Sequence, residues 1–199
     1  AVSVAMAAAL GSTPHADAAP AAGHDKIPSA VPPETPAVNN GKVFGIAQVG
    51  NTVVVGGSFS SVNGVGGSVQ TRNYLFGFNA GTGALSSSFM PNINGVVNDV
   101  IPGPTADTVY VGGAFSQVNG TAARNVALLN VSTGQLVGTF KPASLNGAVN
   151  ALAHDGNRLY VGGNFTSAGG SAHGGLVALD STTGDVDGYV GNDVSVRHN

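Results

Sequence analysis

The stretch VYVGGAFSQVNG at Val109–Gly120 decides the fold, because close copies of it stand at two other places in the chain. VVVGGSFSSVNG occupies Val53–Gly64, and LYVGGNFTSAGG occupies Leu159–Gly170. The double glycines of the three copies begin at Gly56, Gly112 and Gly162, which gives periods of 56 and 50 residues. A recurring period of this length is typical of an architecture built from repeated supersecondary units.

Each repeat contains four segments rich in β-branched and aromatic residues, separated by Gly, Asn and Asp. In the first repeat, the four strands are predicted at Phe44–Gln48, Thr52–Val55, Tyr74–Phe78 and Leu85–Phe89. In the second repeat, they are predicted at Val97–Ile101, Thr108–Val111, Val126–Leu129 and Leu136–Phe140. In the third repeat, they are predicted at Val149–Ala153, Arg158–Val161, Leu176–Leu179 and Val186–Val190. Four short strands per period of about 50 residues indicate an all-β chain of β-propeller blades.

Three positions in each repeat have a predicted structural role. The Gly-Gly pairs are expected where a strand ends and the chain passes close to its neighbour: Gly56-Gly57, Gly112-Gly113 and Gly162-Gly163. Phenylalanines two residues later are expected to fill the space between adjacent blades: Phe59, Phe115 and Phe165. Turns opened by Asn79, Asn130 and Asp180 each close on a glycine, where the side chain can bond its own downstream backbone. The first repeat carries five extra residues within Val65–Gln70, predicted as a surface loop.

Composition excludes several classes of function. Seven Lys and Arg residues and a net charge of −3 argue against a nucleic-acid surface, which needs clustered basic charge. The chain has no cysteine, which rules out disulfides, thiol nucleophiles and Cys-ligated zinc. No apolar stretch is long enough to predict a membrane-spanning helix.

The first part of the chain differs in composition from the repeats. Residues 1–18 contain the apolar run AVSVAMAAAL and an Ala16-Asp17-Ala18 cleavage pattern, and are predicted to be the remnant of a signal peptide. The alternative is an Ala-rich helix that packs on the domain. Residues 19–41 are rich in Pro and Ala and are predicted to be an extended linker. The expected location is therefore secreted or at the cell surface.

Val109–Pro142 resembles the delta-sixty repeat of bacterial secreted and surface proteins. The shared pattern is VGG-x-F, then NG, then ARN, a leucine strand, an N/D-x-x-G turn and a closing F-x-P. The third repeat departs from it, because Gly174-Gly175 replace Arg-Asn and Tyr189 replaces the closing Phe. The resemblance implies an exported β-propeller and transfers no catalytic residue. Kelch and pyrroloquinoline-quinone repeats share parts of the pattern, but both usually carry a Trp in each blade, and this chain has none.

The resemblance extends over residues 42–191, interpreted as three blades at about 42–91, 96–142 and 148–191. Propellers contain about four to eight blades. Residues 192–199 are interpreted as a connection to a further blade, so ring closure is expected to need downstream blades or self-association.

A few polar residues are candidates for chemistry. Asp180, Asp185 and Asp187 surround one turn and offer weak potential for calcium, with turn structure as the alternative. Arg72 and Arg124 occupy equivalent repeat positions, where each either bonds a neighbouring turn or contacts a ligand at the propeller rim. His154 and His173 are predicted to be solvated turn residues.

No catalytic, cofactor-binding or metal-binding residue emerges from these patterns. The function predicted is an exported, non-enzymatic propeller that binds a glycan or a surface protein. The alternative is the propeller part of a larger extracellular enzyme whose active site lies outside this chain. A spacer role for the blades beside an active attached domain is a third hypothesis.

Overall fold

The structure, a computed structural model, describes residues 34–188, which form three consecutive blades of antiparallel sheet. The predicted signal-peptide remnant, residues 19–33 of the linker and the final connection lie outside the described residues. The strands in chain order are β1, Ala37–Val38; β2, Val43–Val49; β3, Thr52–Gly57; β4, Ser61–Asn63; β5, Val69–Thr71; β6, Leu75–Asn79; β7, Val96–Pro102; β8, Thr108–Ala114; β9, Gln117–Val118; β10, Thr121–Ala122; β11, Val126–Asn130; β12, Val149–Asp155; β13, Arg158–Gly163; β14, Ser167–Ala168; β15, Ser171–Ala172; β16, Leu176–Asp180; and β17, Val186–Asp187.

The three main sheets follow the repeats. Blade 1 has the strand order β2-β3-β6, blade 2 has β7-β8-β11 reading outward, and blade 3 has β12-β13-β16-β17. The first three predicted strands of every repeat are thus present. Each central strand includes its double glycine; β3 and β13 end at the second glycine, and β8 ends one residue after it. The all-β fold of propeller blades is confirmed, and residues 34–188 do not close a ring.

The fourth strands are shorter than predicted. In blades 1 and 2 they are reduced to single bridges, Phe78 with Leu85 and Leu129 with Leu136. In blade 3 the fourth strand is the two-residue β17. The reason is visible in the chain that follows: it leaves the sheet and crosses to the next blade, where the backbone at Met90–Pro91 and at Pro142 lies against Gly134 and Gly184.

Each blade also has a small hairpin that was not predicted. The hairpins pair β4 with β5, β9 with β10, and β14 with β15. A residue from the segment that enters the blade adds a further pairing: Val38 with Val62, Ile93 with Val118, and Leu145 with Ala168. The prediction that Val65–Gln70 forms only a surface loop is therefore wrong for its last two residues, which belong to β5 and lengthen the blade 1 hairpin.

The core lies mainly between blades. One buried cluster joins Val54 and Leu75 of blade 1 to Val97 and Val111 of blade 2. A second joins Tyr110 and Val126 of blade 2 to blade 3, through Val149, Val161 and Val177. Because each sheet is apolar on both faces, burial of a blade requires a neighbour on each side.

Candidate functional site

The two glycines of each pair have different roles. A Cβ on the second glycine would overlap a backbone carbonyl of the first strand of the same blade, at Lys42, Val96 or Ala148 for Gly57, Gly113 and Gly163 respectively. The first strand bulges at this point in all three blades. A Cβ on the first glycine of blades 1 and 2 would instead meet the following blade; built on Gly112, it would lie 2.8 Å from Val149 Cγ1. The glycine pairs are therefore structural contacts within and between blades.

The phenylalanines after the glycine pairs are buried. Phe115 belongs to the cluster that joins blades 1 and 2, and Phe165 to the one that joins blades 2 and 3. Phe59 instead lies in a smaller cluster of blade 1, with its ring edge-on to Phe76 at a centroid separation of 5.3 Å. None of the three faces solvent.

An asparagine that sequence reasoning missed fastens each hairpin to its blade. In blade 2, Asn94 Oδ1 accepts hydrogen bonds from the backbone N–H groups of Ser116 and Gln117, both at 2.9 Å, and its Nδ2 donates to Ser116 Oγ. Asn40 makes the same set of bonds in blade 1, and Asn146 makes it in blade 3. The signal was available, because each stands before a glycine at the same place in its repeat: Asn40-Gly41, Asn94-Gly95 and Asn146-Gly147.

The predicted turns have the expected geometry. Asn79, Asn130 and Asp180 each accept hydrogen bonds at their Oδ1 from the backbone N–H groups two and three residues on. The closing glycines have φ of +72°, +69° and +84° for Gly83, Gly134 and Gly184. The two backbone hydrogen bonds lower the pKa of the Asp180 carboxyl. Asp180 is thus committed to its turn.

The three carboxylates considered for calcium have separate partners. Asp185 accepts a hydrogen bond from Thr183 Oγ1, and Asp187 pairs with Arg158 at 2.7 Å. Across residues 34–188, no three His, Asp or Glu side chains are grouped in a way that would hold a metal ion. The structure therefore places these groups in local hydrogen bonds.

The two histidines of the blades differ from expectation and from each other. His173 is buried, so its predicted solvation is wrong; its backbone N–H donates to the carbonyl of Thr166 in the hairpin of blade 3. His154 is half-buried, lies beside the Tyr110 ring and contacts the carbonyl oxygen of Gly156 at 2.9 Å. Both positions serve the packing of blade 3.

The strongest candidate for a binding site is an apolar cleft of about 510 Å³ on blade 2. We call it the blade 2 cleft. Its walls come from β11 and from the chain that leaves the blade, through Val126, Leu136, Val137 and Phe140. Arg124 and Lys141 also line it, and both side chains are exposed.

The two cations of the cleft have no partner among residues 34–188. Within the part of the chain that the structure describes, neither the Arg124 guanidinium nor the Lys141 ammonium makes a hydrogen bond or an ion pair. The predicted equivalence of Arg72 and Arg124 is wrong by one residue, because the backbone hydrogen bonds match Tyr74 with Asn125 and therefore Arg72 with Ala123. Arg72 donates to Gln70 Oε1 at 2.7 Å and to the Thr71 carbonyl. Its cleft is smaller, about 190 Å³. Arg72 is thus bonded to the strand just before it and not to a neighbouring turn, while Arg124 makes no such bond among residues 34–188.

The repeated blades, their shared turns and the cores between them define a β-propeller domain. Residues 75–196, more than half of the chain, match the family model of the Rax2 C-terminal beta propeller domain, so the chain belongs to that family. No curated protein matches the chain. Among solved structures, the computationally designed Ika4 protein is similar at 17% identity and a TM-score of 0.48, over 76% of this chain and 74% of that one.

The computationally designed Ika8 protein is similar at 16% identity and a TM-score of 0.47. That match covers 72% of this chain and 35% of the Ika8 chain. Between residues 34 and 188, no helix has the length and apolar character needed to cross a membrane.

Proposed function

We propose that this chain is an exported, non-enzymatic propeller that binds a surface protein through the blade 2 cleft. The observation that carries the proposal is the pair of unpartnered cations, Arg124 and Lys141, on a cleft with apolar walls. Export is supported by the apolar run and cleavage pattern within residues 1–18 and by the likeness of Val109–Pro142 to the delta-sixty repeat.

The lining favours a protein segment over a glycan. The walls come from aliphatic side chains and Phe140, whose ring is buried and presents no open face on which a sugar can stack. The polar side chains in the lining, apart from the two cations, are Thr121 and Ser144. The site therefore suits an acidic segment with apolar side chains, which places carboxylates on the cations and buries apolar surface between them.

The lining also supports binding without catalysis. It contains no His, Asp or Glu that would activate the hydroxyl of Thr121 or Ser144 as a nucleophile. An extracellular enzyme whose active site lies outside this chain would still use such a cleft to hold its substrate, so the binding test comes first.

The proposal is tested by fluorescence anisotropy of the purified chain with labelled short peptides. One peptide alternates Glu and Leu, a second alternates Lys and Leu, and an acidic polysaccharide is used as competitor. We expect the Glu-Leu peptide to bind, with an affinity that falls as salt rises. The double variant Arg124→Ala/Lys141→Ala is expected to weaken binding about tenfold, equal to roughly 1.4 kcal/mol.

Arg72→Ala is the matched control, because it removes the same residue type from blade 1, one repeat position away from that of Arg124. It is expected to leave the affinity unchanged. Equal binding by the double variant, or no binding of the Glu-Leu peptide, would overturn the cleft as the site. Displacement by the polysaccharide with the same dependence on Arg124 would replace the protein partner with a glycan.

A further inference from the structure

Both joints between blades follow one rule. Two valines at the same repeat position, Val97 and Val149, each pack over the first glycine of the preceding blade, Gly56 and Gly112. Three residues further on, Val100 and Leu152 pack beside them. We call the side of a blade that carries such residues its upstream face, and the side that carries the glycine its downstream face.

The upstream face of blade 1 carries similar residues, and no other blade of residues 34–188 covers it. Val43 and Ile46 occupy the repeat positions of Val97 and Val100, yet they are 40% and 64% exposed, against 0% and 2%. Val53 and Phe78, at the positions of the fully buried Val109 and Leu129, are only half-buried. This face therefore exposes the apolar side chains that fill the internal joints. We call these side chains knobs, and we call the space over the first glycine that receives them the socket.

The downstream face of blade 3 carries the matching socket. A Cβ built on Gly162 meets nothing nearer than 3.8 Å, whereas one on Gly112 meets Val149 at 2.8 Å. Leu176 is 49% exposed, while the equivalent Leu75 and Val126 are fully buried. The socket is formed and unfilled among the described residues.

We propose that a second copy of this chain docks its upstream face on this downstream face. The contact is heterologous, with Val43 of one copy over Gly162 of the other, and it repeats the geometry of the two internal joints. Formed a second time between two copies of residues 34–188, it closes the three described blades of each into a six-blade ring, within the range of about four to eight that propellers adopt.

The polar groups at the joint fit the same occupant. In the joint between blades 2 and 3, Asn98 Nδ2 donates to the Val149 carbonyl at 2.7 Å. Asn150 is the equivalent residue of blade 3, and its side chain is exposed. In the docked pair, the Asn150 side-chain amide donates to the Val43 carbonyl of the other copy, as Asn98 donates to the Val149 carbonyl within one chain. A second copy therefore offers this acceptor at the right place, which an unrelated apolar partner does not.

The first test is the mass of the chain in solution, by light scattering after gel filtration. The expected species has twice the 19.5 kDa mass of one chain. Ile46→Asp places a charge in the joint and is expected to give a monomer. Val69→Asp is the matched control, because Val69 is 69% exposed and belongs to the β4–β5 hairpin and not to the β2-β3-β6 sheet, so it should leave the dimer intact.

The second test uses the absence of cysteine from the chain. Val43→Cys and Gly162→Cys are prepared as separate variants, mixed and oxidised. In the internal joint, a Cβ built on Gly56 lies 3.2 Å from Val97 Cβ, close to the separation of about 3.8 Å in a disulfide. We expect a cross-linked dimer from the mixture and little from either variant alone.

The double variant Gly56→Cys/Val97→Cys shows in a single chain that this geometry supports a disulfide. Monomers at every accessible protein concentration, together with no cross-link from the mixture, would overturn the proposal. Species larger than a dimer in light scattering of the unmodified chain would overturn the six-blade ring. A dimer that Ile46→Asp does not dissociate would place the contact elsewhere.

Discussion

Blade 2 and blade 3 carry the same repeat, but among residues 34–188 blade 2 has a neighbour on each face and blade 3 has a neighbour on one face only. Tyr110 and Val126 of blade 2 are fully buried by blade 3, while Leu176 of blade 3 is exposed. The comparison teaches that a repeat position acquires its energetic role from the blade beside it. The same glycine is a tight contact at Gly112 and an open surface at Gly162.

The largest effect is expected from alanine at these two glycines. Gly112→Ala forces a methyl group against Val149 and Leu152 and should lower the free energy of unfolding by about 2–3 kcal/mol. Gly162→Ala meets no atom within 3.4 Å and should change it by less than about 0.5 kcal/mol in the monomer. Urea unfolding of both variants at low protein concentration measures the difference; equal effects would remove the distinction between covered and open faces.

The asparagines that fasten the hairpins should behave alike in both blades, because their hydrogen bonds stay within one blade. Asn94→Ala and Asn146→Ala each remove three hydrogen bonds, and each should cost about 1–2 kcal/mol. Thermal unfolding followed by circular dichroism compares them. A cost confined to Asn94 would mean that the open face already leaves the blade 3 hairpin loose.

Tyr110 ties the two blades together, since its hydroxyl donates to the Ser181 carbonyl in the last turn of blade 3. Burial raises its pKa from 10.0 to about 12. As the pH rises, the Tyr110 hydroxyl therefore loses its proton in the unfolded chain before it does so in the folded chain. The contribution of this hydroxyl to the free energy of unfolding is complete below pH 10 and is lost as the pH rises toward 12. Tyr110→Phe should cost about 1 kcal/mol at neutral pH and flatten this alkaline loss. The urea midpoints of the original chain and of Tyr110→Phe, measured between pH 8 and 11, test this prediction. An equally steep fall of the midpoint with pH in the two proteins would contradict it.

The smallest effect is expected at Arg124. Because its guanidinium has no partner among the described residues, Arg124→Ala should change the free energy of unfolding by less than about 0.5 kcal/mol. Arg72→Ala loses two hydrogen bonds of an exposed side chain and should cost slightly more. Calorimetry of the two variants compares them; a larger loss at Arg124 would assign it a structural role.

Much of the fold could be predicted because its signals are local. Three copies of VGG-x-F set the period, the first three strands of each blade were predicted to within a few residues, and the Asn79, Asn130 and Asp180 turns follow from side chains that bond their own backbone. The fourth strands were overestimated. Their apolar residues, Phe89 and Phe140 among them, alternate like a strand but bury against the neighbouring core after the chain has left the sheet.

The candidate site could not be predicted in the same way. Arg72 and Arg124 both precede an asparagine, which suggests equivalence, but the backbone hydrogen bonds place Arg72 one repeat position before Arg124. The insertion of repeat 1 ends at Gln70, whose side chain pairs with Arg72, whereas blade 2 has no such partner for Arg124 among the described residues. The blade 2 cleft likewise depends on where the chain from Leu136 to Ser144 runs after it leaves the sheet. Such long-range placement carries no local pattern in the residues themselves.

The knob and the socket of every joint are encoded in a single repeat, with the valine after Asn-Gly at one end and the first glycine of the pair further on. A duplication of one whole period would therefore bring a new blade together with both of its contacts, and no compensating change in the neighbouring blades would be required. A duplication of half a period would separate the two. Gene lineages carrying this repeat can accordingly gain or lose blades in whole units, and blade number is expected to vary more freely than blade structure.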